Sequence, residues 1–240
     1  MQYKLKNNQM TADRRLDRLV MFDKRSEKFP LTASLKTGKK PKSYTWRCGL
    51  YLDQGVEGSC TGCGITHELA ARPVEVKRLH IGYAKRLYLA AQTIDEWPGM
   101  EPDYYGTTVL AAVKVAHHLG WFDSYRWAFG LDDLIMGVGH SGPAVLGLKW
   151  FEGMQNPGAR SFISPTGRLV GGHCILCNGV DVKKECFRLH NSWGVDWGKK
   201  GECFITFADM KKLLKDEGEA VFFEGRQSRP NKSLLKEYNI

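Results

Sequence analysis

The sequence predicts an α+β fold in two lobes, a helical lobe packed against a mostly antiparallel β-sheet lobe. Three observations carry this prediction. Up to about residue 119, apolar residues recur at three- and four-residue spacing, the mark of helices. From Ala144 onward the pattern changes to short apolar runs punctuated by glycine and proline, the mark of strands and turns. The two kinds of element are segregated along the chain and no internal repeat is visible, which favours α+β over alternating βαβ units. With 240 residues, the chain is long enough for one domain, or two small lobes sharing a cleft, with a good core.

The elements follow in order. Residues 1–44 read as a charged arm with Pro30, Pro41 and the run Thr37-Gly38-Lys39-Lys40. Residues 61–72 read as a helix with Ile65 and Leu69 on one face, ended by Pro73. A second helix spans about 76–93, with Leu79, Tyr83, Leu87 and Ala91 on its apolar stripe and Trp97-Pro98-Gly99 as its breaker. Gly106-Thr107-Thr108 precedes a third helix near 109–119, with Thr108 suited to be its N-cap and Gly120 its stop. A short helix near 131–138 and a Gly142-Pro143 turn come next. Strands are expected at 144–150, 173–180, 186–190 and 202–207, then a helix near 209–215 and a last strand near 220–223. The organisation is thus an arm (1–44), a folded body (45–224, helical from about 50 to 120 and sheet from about 121 to 224) and a tail (225–240).

The formal charge of +9 is unevenly spread. Residues 1–42 carry 12 Lys/Arg against 4 Asp/Glu and residues 225–240 carry 4 against 1, which leaves the middle of the chain slightly acidic. Basic ends can touch nucleic acid or acidic surfaces, but solvated tails are the simpler reading. No apolar run reaches the ~18 residues of a membrane span, and the first residues lack the apolar stretch of a signal peptide. Seven cysteines, an odd number, in a chain without such a signal argue against a disulfide framework. A cytoplasmic protein is expected, with no membrane partner.

The chemistry centres on residues 53–64, Asp-Gln-Gly-Val-Glu-Gly-Ser-Cys-Thr-Gly-Cys-Gly. Cys60 falls at a predicted helix N-terminus, where the helix dipole and unpaired backbone N–H groups favour a thiolate. Gln54 supplies a neutral amide donor six residues earlier. A thiolate with a nearby donor suits attack on a carbonyl. Candidates for the base and its partner lie far downstream, in Gly171-Gly172-His173-Cys174 and in His190-Asn191-Ser192-Trp193-Gly194-Val195-Asp196-Trp197-Gly198.

Together these three stretches resemble the papain-like cysteine peptidases: Gln-x5-Cys, then Gly-His on a strand, then Asn-Ser-Trp-Gly-x-x-Trp-Gly, with Trp197 to Ile205 continuing the pattern. The resemblance covers about residues 45–224 and is strongest to compact bacterial and phage-type members. It implies a papain-like two-lobe fold with the site in the cleft between the lobes, and no metal or organic cofactor. It implies a peptide or protein substrate, with Cys60 as nucleophile, His173 as its base, Asn191 as the residue that orients the imidazole and Gln54 as oxyanion donor. Gly106 and Thr107 would pair with extended substrate backbone, and Trp193 would cover the Asn191–His173 bond and border the leaving-group side. Gly147 and Gly171 are candidates for the wall of a side-chain pocket. The chain departs from the family in places. Thr61 replaces the usual aromatic residue after the nucleophile. Glu57 stands where secreted members have a disulfide cysteine. The separation of 113 positions from Cys60 to His173 is shorter than the ~130 or more of typical members. The arm is shorter than the inhibitory propeptide of secreted members.

Other readings compete. A papain-like fold can serve as an acyl transferase, since an amine can replace water at the acyl-enzyme, or as a non-proteolytic binding protein. Two Cys-x2-Cys pairs, Cys60/Cys63 and Cys174/Cys177, suggest zinc, but their separation is far from ribbon spacing. Cys63, one turn after Cys60, is either a resolving thiol for an oxidised Cys60 or a packed core residue.

Overall fold

The structure is a computed structural model and describes residues 16–20, 22, 24–35, 38–96 and 106–235. The predicted breaker at 97–99 lies outside these residues, as do residues 1–15, 21, 23, 36 and 37 of the arm and the last five residues of the tail.

In chain order, two 3-10 turns, Lys24–Lys28 and Leu31–Ala33, precede strand β1 (Tyr44–Thr45). Three helices follow, α1 (Cys60–Ala70), α2 (Ile81–Ile94) and α3 (Val109–His118). Then come β2 (Ser124–Trp127), α4 (Leu131–His140), β3 (Ala144–Phe151), β4 (Leu169–Asp181), β5 (Cys186–His190) and β6 (Glu202–Thr206). The described chain closes with α5 (Phe207–Lys215), β7 (Glu219–Glu224) and the single turn α6 (Lys232–Leu235). The helical first half and sheet-rich second half are as predicted. β1 and β2 were not expected, because two and four residues are too short to show a period.

All strand pairings are antiparallel, in the order β2-β7-β3-β4-β5-β6, with β1 paired to one end of β4. The long β4 is the axis of the molecule. Its side chains alternate between two cores, as a strand's must. Cys174 and Leu176 join the helical core with Ile65, Val113 and Val145, while Ile175 and Cys177 join the sheet-lobe core with Leu146, Leu148 and Phe187. Cys174 and Cys177 thus lie in different cores, which removes them as a paired metal site. Among the described residues no group of three or more His, Cys, Asp or Glu is placed to hold a metal ion.

Helix α1 lies between α2 and the sheet, and every one of its residues is buried. Its glycines permit that position. A Cβ on Gly62 would lie 2.0 Å from the Ala84 carbonyl of α2, and one on Gly64 2.7 Å from Cys174 Sγ on β4. The helix ends at Ala70, three residues before Pro73, and Ala71 is already extended, with φ −82° and ψ 161°. Helix α2 begins later than the sequence suggested because His80 caps it, its Nδ1 accepting the Gly82 N–H. Thr108 caps α3 as predicted, its Oγ1 accepting the Ala111 N–H.

The two ends of the chain are less free than expected of solvated tails. Leu16 and Leu31 are buried in the sheet-lobe core. At the other end Gln227 and Asn231 donate backbone bonds to Trp121 and Leu119, and Leu234 and Leu235 pack on the helical core. No helix among the described residues is long and apolar enough to cross a membrane.

Candidate active site

The site forms where α1 starts, β4 passes and the 191–194 segment leaves β5. The loop before α1 is stitched to that segment. Gln54 N–H donates to the Ser192 carbonyl (2.9 Å) and Gly194 N–H to the Leu52 carbonyl (3.1 Å). Two stretches 138 residues apart become neighbours by antiparallel pairing.

His173 is fully buried on β4. Its Nε2 donates to Asn191 Oδ1 at 2.7 Å, an oxygen that also accepts the Ser192 N–H at 2.8 Å. An amide oxygen can only accept, so the bond fixes Nε2 as protonated and leaves proton exchange to Nδ1. The imidazole lies between Trp150, which it meets edge-on, and Trp193, which is tilted to it, with ring centroids 4.7 and 4.8 Å away. Trp193 in turn packs edge-on against Trp197. Gln54 is held at both ends of its amide: Oε1 accepts from Ser192 Oγ (2.7 Å) and Nε2 donates to the Glu57 carbonyl (2.7 Å).

Cys60 is the first residue of α1, and the backbone N–H of Cys174, next to His173, reaches its sulfur. Gln54, Cys60, His173, Asn191 and Trp193 therefore converge on one locus. The thiolate expected at a helix N-terminus is not the state this arrangement favours. Burial pushes the Cys60 thiol up to about 11, with the Asp17 carboxylate adding to the rise, against the lowering effect of the Cys174 and Asp17 N–H groups and Arg18. The cause is the arm. Asp17 N–H lies on the sulfur, and its carboxylate packs on Gly58 and accepts from Tyr88 Oη at 3.3 Å. Water is displaced, and desolvation of a thiolate outweighs the N-terminal N–H groups.

The arm continues along the slot where substrate backbone was expected. Arg18 N–H donates to the Gly172 carbonyl and Leu19 N–H to the Thr107 carbonyl, both at 3.1 Å. Both walls are glycine where the backbone passes: a Cβ would lie 2.1 Å from the Arg18 carbonyl at Gly172 and 2.6 Å from the Asp17 carbonyl at Gly106. Gly106 also has φ of +84°, a conformation glycine adopts without strain. Tyr88 Oη accepts the Gly106 N–H (2.9 Å) and so ties this wall to Asp17. The Arg18 side chain runs inward to a buried ion pair with Glu219. Gly147 lines this inner pocket.

Sequence reasoning missed Asp17, Arg18, Tyr88, Gly172 as a backbone acceptor, Ser192 as an orienting hydroxyl, and Glu219. None carries a local signal: Arg18 is one charge among many in the arm, and Glu219 is a lone acid at a strand start. Cys63 is not at the cleft. It packs with Leu52 and Ala84, its Sγ 3.9 Å from Ser59 Oγ, and burial pushes its thiol up to about 12.

No protein-family model and no curated protein sequence matches the chain. Solved structures do. Xylellain, a cysteine protease from Xylella fastidiosa, is 18% identical with a TM-score of 0.63, over 86% of this chain and 94% of that one. A recombinant stem bromelain precursor is 12% identical with a TM-score of 0.58, over 88% of this chain and 78% of that one. Digestive procathepsin L2 from Tenebrio molitor larval midgut is 16% identical with a TM-score of 0.54, over 78% and 69%. The chain has the papain-like fold of these cysteine proteases.

Proposed function

We propose that the protein is a cysteine endopeptidase that hydrolyses peptide bonds in peptide or protein substrates, and that the arm must leave the cleft before substrate enters. The His173–Asn191 bond, one residue along β4 from the Cys174 N–H that reaches the Cys60 sulfur, is the observation that carries the reading. With the arm withdrawn, water returns and the Cys60 proton passes to His173 Nδ1, giving a thiolate–imidazolium pair. The sulfur attacks the carbonyl carbon, and the oxyanion takes hydrogen bonds from the Gln54 amide and the Cys60 N–H. His173 then protonates the leaving amine as the acyl-enzyme forms. It next takes a proton from water, whose oxygen attacks the thioester and releases the acid and the free thiol. Asn191 keeps the imidazole in one tautomer throughout, and Trp150 and Trp193 shield the bond from water. Seven free thiols and no disulfide support a reducing, cytoplasmic setting.

Cys60→Ala is expected to abolish cleavage while leaving the circular dichroism and melting temperature close to wild type, because the lost sulfur leaves only a small void. Comparable turnover in the variant and wild type would end this reading.

A further inference from the structure

His173 is held by a second tryptophan that belongs to no motif. Trp150 lies on β3 opposite Gly171 of β4, while His173 is paired with Leu148. Trp150 and His173 are thus diagonal neighbours on one face of the sheet, within reach of an aromatic side chain. Gly171 brings no side chain of its own, and the Trp150 ring lies against His173 with centroids 4.7 Å apart and planes at 68°. It also meets Trp193 edge-on at 5.6 Å. The imidazole is therefore gripped by two indoles carried on separate elements, β3 and the 191–194 segment.

Trp150 is fully buried, yet its Nε1–H has no hydrogen-bond partner among the described residues. A buried donor without a partner costs stability, and phenylalanine would fill much of the place without that cost. The position thus holds tryptophan for its ring. The thiolate–imidazolium pair gives that ring a use. It needs a cation at His173, which is itself fully buried, and burial disfavours the charged form. Asn191 orients the imidazole through Nε2 but is neutral. An edge-on aromatic pair sets the positive rim of one ring on the negative face of the other. When the imidazole supplies the rim, protonation strengthens the contact as in a cation–π pair. Titratable groups reach this locus from α1, in Cys60, and from the arm, in Asp17 and Arg18 until it leaves. On β3, Lys149 is engaged with Asp216 and Glu217 and by alternation lies on the face opposite Trp150.

We propose that Trp150 is a positioning residue for His173: its π face takes the edge of the imidazole, fixes Nδ1 toward the Cys60 sulfur and favours the imidazolium of the working pair. The inference rests on the peptidase reading above.

The test uses the full-length chain and a fluorogenic amide drawn from a mixed-sequence peptide pool. The pH profile of kcat/KM is recorded for wild type, Trp150→Leu and Trp150→Phe. The alkaline limb reports loss of the imidazolium proton. Cys60 and His190 are unchanged in all three proteins, so their titrations cancel in the comparison. In Trp150→Leu, kcat is expected to fall about tenfold with little change in KM, and the alkaline limb to move to lower pH by roughly 0.5–1. Trp150→Phe, which keeps a π face, should recover most of both. If Trp150→Leu does not fold, Trp150→Met fills the place without a π face and carries the same expectation. A lower kcat with the limb unmoved would make Trp150 a packing residue and overturn this inference alone. So would a limb moved to higher pH, which would mean that the indole supplies the edge. No turnover of the whole pool by wild type or by Arg18→Ala would overturn the peptidase reading and this inference with it.

Discussion

Cys60 shows how one side chain is governed by two opposed effects. Its place at the start of α1, under the Cys174 N–H, favours the anion, yet burial beneath Asp17 pushes the thiol up to about 11. At pH 8 a thiol of that pKa is ionised in about one molecule per thousand. Iodoacetamide alkylation of Cys60 in the full chain should therefore keep rising with pH beyond 10. A plateau near neutrality would mean that the arm does not seal the sulfur. Gln54 is held by Ser192 and Glu57, so its amide is oriented before substrate arrives. Gln54→Ala should lower kcat by about a hundredfold, the usual loss for one oxyanion donor, with little change in KM. A change confined to KM would make Gln54 a packing residue. Both residues were legible from Gln-x5-Cys, but the state of the thiol was not, because the group that buries it lies 43 residues upstream.

At the scale of elements, α1 and β4 work as a pair. Gly64 allows them to touch, and Gly64→Ala forces a methyl group to within 2.7 Å of Cys174 Sγ and 3.3 Å of Val145. The substitution should cost ~1–3 kcal/mol by overpacking, read as a lower urea midpoint. This would hold even though alanine is the better helix former. A second junction joins β5, β6 and α1. His190 is bonded to Glu202 Oε1 (3.3 Å) and the Leu50 carbonyl (2.8 Å), and it meets the His67 ring edge-on. Burial alone would lower its pKa, but bonds to Cys48, Glu202 and Leu50 raise it to about 9 from an ordinary 6.5. His67, buried against that charge, is held well below the usual range and stays neutral. A raised histidine contributes stability that is full below pH 6.5 and is lost as pH rises toward 9. Melting temperatures should fall across that window in wild type, and His190→Gln should flatten the fall. Equal slopes in the two proteins would show that His190 carries no charge in the fold. His190 and His67 gave no sign of this in the sequence, since neither belongs to a motif and each acts through a partner on another element.

At the scale of the molecule, the described parts of the arm and the tail are each tied to the body by an arginine paired with a buried carboxylate. Arg18 pairs with Glu219, 201 residues away, and Arg226 with Glu68, 158 residues away, at 2.5 Å. Glu68 lies inside α1, and burial raises its pKa more than Arg226 lowers it. Arg226→Ala would strand that carboxylate and should cost ~3–5 kcal/mol in denaturant unfolding. Loss of both charges in Glu68→Gln/Arg226→Met should cost much less. A small effect of the single substitution would show that the C-terminal segment is not fastened to α1. The charge count places the basicity of the protein in its ends, but counting charges treats each as a surface group. Only the fold shows which two meet a buried carboxylate.

The sequence by itself determined the order of the longer helices and strands and the two-lobe α+β class, and it singled out Gln54, Cys60, His173 and Asn191. These follow from local periodicity and from short motifs whose residues travel with their own flanking glycines and tryptophans. The tertiary structure alone decided what fills the cleft, why Cys60 is held as a thiol, and how Glu219 comes to end a pocket beside it. Those depend on contacts between residues tens to hundreds of positions apart, fixed by antiparallel register and by the absence of a side chain at Gly106, Gly147 and Gly172. Pairing across a sheet and the space left by a missing Cβ have no counterpart in a linear pattern, because both are properties of what comes to lie opposite.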